Sequence, residues 1–187
     1  FNRPTVGLVT IETGGDPATV RGTDALLSST DWFVGEVAGF VRRTLKRLDV
    51  TAKSFFALAT PGSCFVGTVL ELALAADRFY VKDDADGATR VETTNANGGL
   101  FPMGNGLPRL QTRFLAAPAK AAAAVAHEPP MDAREALAAG LATLAPDDLD
   151  WDDEVRLAVE ERVSLSPDGL TGMEANLRFA GPETLET

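Results

Sequence analysis

Apolar residues in this chain fall into short blocks whose period changes along the sequence. From Thr5 to Ile11, Val6 and Leu8 share one face and Val9 and Ile11 the other, which predicts a strand buried on both sides. Glu12-Thr13-Gly14-Gly15-Asp16-Pro17 then breaks it into a glycine loop. Between Asp31 and Leu48 the period lengthens. Trp32, Phe33, Val37, Phe40, Val41, Leu45 and Leu48 recur mostly every three or four residues, predicting a helix capped by Ser29, Thr30 or Asp31. Arg42, Arg43, Lys46 and Arg47 suit the negative end of its dipole and read as a solvated face. Ser54–Ala59 returns to strand around Phe55-Phe56-Ala57-Leu58, and Thr60 to Cys64 turns the chain. A buried helix over Gly67–Ala76 and a short strand over Arg78–Val81 follow.

Downstream, Asp83–Thr89 reads as polar loop, and Gly98-Gly99 with Met103-Gly104-Asn105-Gly106 as a second glycine-rich stretch. Pro118–Ala126 is alanine-rich and helical in propensity. Ala133–Gly140 predicts a short helix with Gly140 as its C-cap. Trp151–Val163, after the acidic run Asp147-Asp148, and Ser166–Phe179 predict two more helices. Strands alternating with helices argue for an α/β domain, with no internal repeat and no linker to divide residues 1–187.

Composition narrows the function. Apolar residues make up 45% and charged residues 24%, as in an ordinary soluble domain, and no run approaches the ~18 apolar residues a membrane span needs. The net charge of −10 repels phosphate backbones, which argues against nucleic acid as a partner. One cysteine, Cys64, cannot form an internal disulfide and fits a reducing cytoplasm. One histidine, His127, with no cysteine cluster leaves no structural zinc site. A chain opening on Phe1 rather than Met reads as an excised part of a longer one.

Candidate chemistry gathers at two strand-to-helix junctions, Thr13-Gly14-Gly15-Asp16 and Phe65-Val66-Gly67-Thr68. Glycine lets a backbone approach a ligand closely, and a helix start offers unpaired amides. Two such amides converging on one point would polarise a thioester carbonyl and stabilise its enolate oxygen. Glycine turns before helices are also common as plain structure, so the pattern alone leaves both readings open. Cys64 has no base beside it in sequence and reads as a packed, inert thiol, and His127 as a surface loop residue.

Three blocks carry a family resemblance. Gly67-Thr68-Val69-Leu70-Glu71-Leu72-Ala73-Leu74-Ala75-Ala76-Asp77 resembles the crotonase (enoyl-CoA hydratase) signature of a glycine trio, one residue, then Glu-Leu-Ala and an Asp. Gly99 to Leu110 is similar to the family's Gly-x-x-Pro-x-x-Gly-Gly-x-x-Arg-Leu segment, and Met131 to Ala142 to its Ala-x-x-Ala-x-x-x-Gly-Leu-Val element. Pro61–Thr68, Arg42–Val50 and Glu174–Thr184 further resemble the second half of the benzoyl-CoA-dihydrodiol lyase family, about twice the usual crotonase length. The resemblance implies a crotonase spiral of ββα units with C-terminal helices. It also implies a cytoplasmic, homodimeric parent with an N-terminal crotonase half, acting on an acyl-CoA whose coenzyme A belongs to the substrate, with no separate cofactor or metal. That family opens the ring of an oxidised benzoyl-CoA with water, releasing formate and a semialdehyde thioester in aerobic benzoate degradation.

Carried over residue by residue, the resemblance places the oxyanion amides at Gly15 and Thr68, with Gly14 and Gly67 beside the substrate. The central glycine of the trio is replaced by β-branched Thr68, which crowds the acyl space. Glu71 takes the position of one catalytic glutamate. The other falls near Asn95, an amide able to touch substrate but unable to shuttle protons, and Glu92 lies three residues away without being bound to the same pocket. Paired-carboxylate chemistry is therefore expected to be broken here, and the chain to act as a degenerate scaffold and dimerisation half. The alternatives are a stand-alone hydratase or isomerase using Glu71, and an assembly domain with no ligand.

Overall fold

A computed structural model describes Arg3 and residues 5–178. Three parallel strands form the main sheet, in the order β1 (Leu8–Ile11), β2 (Ser54–Ala59), β4 (Arg78–Val81). Two shorter strands, β3 (Phe65–Val66) and β5 (Val91–Glu92), pair in parallel as a second sheet. Parallel neighbours need crossovers. Between β1 and β2 these are α1 (Pro17–Leu27) and α2 (Trp32–Asp49), and between β2 and β4 the chain passes through β3 and α3 (Gly67–Leu74). From β2 onward the strands come in pairs, β2 with β3 and β4 with β5, each pair adding one strand to each sheet. A 3₁₀ turn (Asn95–Gly98), α4 (Arg109–Arg113), α5 (Pro118–Val125), α6 (Ala133–Ala138), α7 (Trp151–Ser164) and α8 (Pro167–Arg178) complete the described residues.

All six residues of β2 are buried, so its two faces feed different layers. Ala57 and Ala59, with Phe79 and Val81 of β4, pack under α3, α5 and α6 against Phe65, Leu70, Met131 and Leu141. Phe56 and Leu58, with Tyr80, pack the other way against Trp151 and Ala158 of α7. A third cluster joins Leu27 of α1 and Leu45 of α2 to Ala96 and Phe101.

Several elements differ from the sequence expectation. β1 is shorter than Thr5–Ile11 because only Leu8–Ile11 finds a partner on β2. α1 follows directly on the glycine loop, where no helix was expected. Asp16 caps it by accepting from Ala18 and Thr19 amides at 3.1 Å, and Pro17 sits in its first turn. α2 turns a different face inward. Val34, Ala38, Val41, Leu45 and Leu48 pack on the core, whereas Trp32, Phe33, Val37 and Phe40 are exposed. Two apolar stripes overlap on this helix, and periodicity alone could not say which one meets the core. The expected acidic cap of α7 is displaced by a loop, since Asp147 instead accepts from the amides of Leu149 and Asp150. Gly140 has φ +75° and ends α6 as expected. Phe179 and the Phe179–Thr184 part of the last matched segment lie outside the described residues.

Candidate functional site

The two glycine junctions lie on one side of the molecule. Gly15, at φ +147°, backs onto Cys64, since a Cβ there would lie 3.9 Å from that side chain. The Cys64 amide donates to Thr13 Oγ1 at 3.0 Å, tying the first loop to the turn before α3. Gly67 opens α3 at φ +45°, and Val66, its N-cap residue, offers no side-chain acceptor to the helix amides.

That vacancy is filled from across the chain. Asp24, in the body of α1 and only 4% exposed, places its carboxylate over the start of α3. Oδ2 accepts the Thr68 amide at 3.1 Å and the Thr94 hydroxyl at 2.7 Å, while Oδ1 accepts the Thr68 hydroxyl. A Cβ on Gly67 would fall 1.7 Å from Asp24 Oδ2, so only glycine leaves room for the carboxylate. The Thr68 amide, which the family resemblance assigns to a thioester oxygen, thus donates to an internal carboxylate. Geometry and dipole both favour this, because a carboxylate at a helix N-terminus meets unpaired amides and positive potential.

Glu71, one turn further along α3, faces away from that opening and is 2% exposed. Its Oε1 accepts from Asn97 Nδ2 at 2.7 Å and its Oε2 from Arg109 Nη1 at 2.9 Å. Arg109 Nη2 grips both oxygens of Asp49, at 2.9 and 2.7 Å. Asn97 also donates to the Gly67 carbonyl at 2.9 Å, bracing the first turn of α3. Burial raises the pKa of Glu71 above its ordinary value, opposed chiefly by the Arg109 charge and the Asn97 hydrogen bond. Both carboxylate oxygens are thus engaged within a buried Asp49–Arg109–Glu71 arrangement.

Asn95 is exposed and lines a cleft of about 510 Å³ with Arg21, Asp24, Glu92, Thr94 and His127. Glu92 faces this cleft as well, beside Asn95, and its carboxylate pairs with Arg21 at 2.7 Å. His127 is an exposed loop residue whose Nδ1 lies 3.0 Å from the Pro129 carbonyl. Cys64 is buried, and desolvation raises its thiol pKa, the direction of an unreactive sulfur. Gly14, Gly15, Gly67 and Glu71 do not line this cleft.

Asp24, Asn97, Asp49 and Thr94 were not among the residues singled out in the sequence. Asp24 carries one faint signal, an acid set between Thr23 and the apolar run Ala25-Leu26-Leu27 of a helix. Arg109 stood inside a matched segment, with no acid near it in sequence to suggest that it pairs across 38 residues with Glu71 and 60 with Asp49.

No family model matches the chain. It is 49% identical over 189 aligned positions to the benzoyl-CoA-dihydrodiol lyase of Aromatoleum evansii, an alignment taking in all of this chain and 34% of that protein. The chain spans about a third of the length of this curated relative. Solved structures share its fold. An enoyl-CoA hydratase/isomerase from Marinobacter aquaeolei superposes with a TM-score of 0.67 at 15% identity, covering 99% of this chain and 70% of that one. An enoyl-CoA hydratase/carnithine racemase from Magnetospirillum magneticum gives 0.66 at 20% identity, covering 93% and 64%. At such identities the likeness is one of fold, and the fold is the crotonase α/β spiral expected from the sequence.

Proposed function

We propose that this chain is part of a longer lyase that opens the ring of a dihydrodiol- or 2,3-epoxy-benzoyl-CoA to a semialdehyde acyl-CoA and formate. Within that protein it serves as a degenerate crotonase scaffold and dimerisation half, while proton transfer belongs to another crotonase half of the same chain. The 49% identity to a benzoyl-CoA-dihydrodiol lyase across the whole chain supports the parent activity. The observation that carries the scaffold role is Asp24, whose carboxylate takes the Thr68 amide that a thioester oxygen would need.

Three further features support this reading. A negative group at Asp24 repels the enolate that an oxyanion hole must stabilise, reversing the electrostatics the reaction needs. Glu71 is buried with each oxygen hydrogen-bonded, to Asn97 and to Arg109, so the side chain is held inside the protein and away from any substrate proton. Asn95, where a second proton-transfer group would stand, is an amide. A stand-alone hydratase working through Glu71 would require both the Asp24 and the Arg109 contacts to open together.

Calorimetry tests the proposal. Titrating acetyl-CoA into this chain is expected to give no binding heat, and acyl-CoA substrates no turnover, whereas the longer protein turns over its substrate. Hydration or ring opening by this chain alone, abolished in Glu71→Gln, would overturn it.

A further inference from the structure

At the far end of α3 from Asp24 lies a second cleft, of about 630 Å³, between α4, the C-terminal part of α7 and α8. Ser54 and Arg78, which open β2 and β4, place it at the opposite ends of the strands from the glycine loop. Its volume falls within the ~300–1,000 Å³ range of small-molecule sites. Phe56, Leu74, Met103, Leu165, Leu170 and Met173 supply an apolar bed.

Its charges are unusual for a chain of net charge −10. Four arginines line the cleft, and two of them are already paired: Arg78 with Glu161 at 2.5 Å, and Arg109 with Asp49 and Glu71. The other two have no carboxylate within ion-pair distance among the described residues. Arg113 reaches only the Gly140 carbonyl, at 2.7 Å through Nε. Arg162 reaches the Gly7 carbonyl at 2.9 Å and the Ser54 hydroxyl. Arg113 is exposed as a residue, yet desolvation with no carboxylate to offset it lowers the pKa of its guanidinium. Of the three carboxylates on the wall, Asp49 and Glu161 are bound to Arg109 and Arg78, and Asp77 accepts the Phe55 amide at 2.7 Å through Oδ2. Two buried polar atoms of lining residues on α4, Arg109 Nε and Thr112 Oγ1, have no partner among the described residues. Buried groups of that kind destabilise the fold unless something accepts from or donates to them.

We propose that this cleft binds an amphiphilic carboxylate, with an aromatic or medium-chain aliphatic body on the Leu–Met bed and its anionic head between Arg113 and Arg162. The charge pattern selects the ligand: two guanidiniums without an ion-pair partner among the described residues, beside an apolar surface, favour an anion with a hydrophobic body over inorganic phosphate, which leaves the bed unused, and over a neutral alcohol, which leaves the charges unmet. The site does not depend on the lyase reading, since it shares no lining residue with the Asp24 cleft.

Isothermal titration of this chain with sodium octanoate and sodium benzoate is the test, with octanol and inorganic phosphate as comparators. Saturable one-to-one carboxylate binding is expected, with octanol and phosphate at least about tenfold weaker, which is about 1.4 kcal/mol. Arg113→Gln, at an exposed position, should fold normally and weaken octanoate at least tenfold. Arg162→Lys should weaken it in the same way, and His127→Ala in the other cleft should leave it unchanged. Absence of saturable binding, equal affinity for octanol, octanoate affinity unaltered in Arg113→Gln, or a loss in His127→Ala would each overturn the proposal.

Discussion

At the scale of single residues, the site turns on a carboxylate and a missing Cβ. Asp24 satisfies one amide and two hydroxyls of the half-buried Thr68 and Thr94. Asp24→Ala removes a helix cap and strands those donors, so a loss of about 1–3 kcal/mol is expected in urea unfolding. Gly67→Ala forces a side chain to φ +45° and onto Asp24 Oδ2, which should cost at least about 2 kcal/mol. The two effects are coupled. In the Asp24→Ala background the closest clash is relieved, leaving Thr94 Oγ1 at 2.7 Å from the new Cβ, and Gly67→Ala should then cost about 1–2 kcal/mol less. Additive losses would show that the carboxylate does not sit where it is described.

Elements decide which surfaces remain to be covered. α2 buries Val34, Ala38, Val41, Leu45 and Leu48 and leaves Trp32 at 78% and Phe40 at 64% exposure. A stripe of aromatic residues open to water on one helix is the usual mark of a contact surface. It suits the dimerisation role proposed above, with Arg42, Arg43 and Arg47 as an exposed cationic end. Phe40→Glu leaves the inward face untouched, so the far-ultraviolet circular dichroism and unfolding midpoint should stay close to wild type. Self-association measured by sedimentation should weaken at least tenfold. Unchanged association would remove α2 from the dimer contact.

Across the whole molecule, Arg109 is the link. It joins α4 to Asp49 at the end of α2 and to Glu71 within α3, three elements far apart in sequence. Arg109→Met would leave two buried carboxylates, Asp49 and Glu71, without their countercharge and should cost about 3–5 kcal/mol. Glu71→Gln keeps a group able to face Asn97 and leaves a neutral Arg109–Asp49 pair, so a change below about 1 kcal/mol at pH 7 is expected. The pH dependence follows from the raised pKa of Glu71. Above the ordinary glutamate value of 4.5, the folded protein binds more protons at this group than the unfolded chain does. Wild type should therefore lose stability relative to Glu71→Gln as pH rises from about 4.5 towards 7, measured as the gap between their urea midpoints. A gap that moves the other way would mean that Arg109 outweighs desolvation.

The sequence by itself determined the α/β class, most of the helices and, through three short motifs, the crotonase spiral. Such features are local: period 2 or 3.6, a glycine at a turn, a proline at a helix start. It also drew attention to the turns that carry Gly15 and Thr68, and to an amide at Asn95. Only the tertiary structure decided what those groups do. Whether the Thr68 amide is open depends on Asp24, 44 residues earlier, and whether Glu71 is a base depends on Arg109, 38 residues later. Those contacts are side-chain pairings set by how α1, α3 and α4 pack, and no periodicity encodes which of many acids a buried amide or guanidinium will meet.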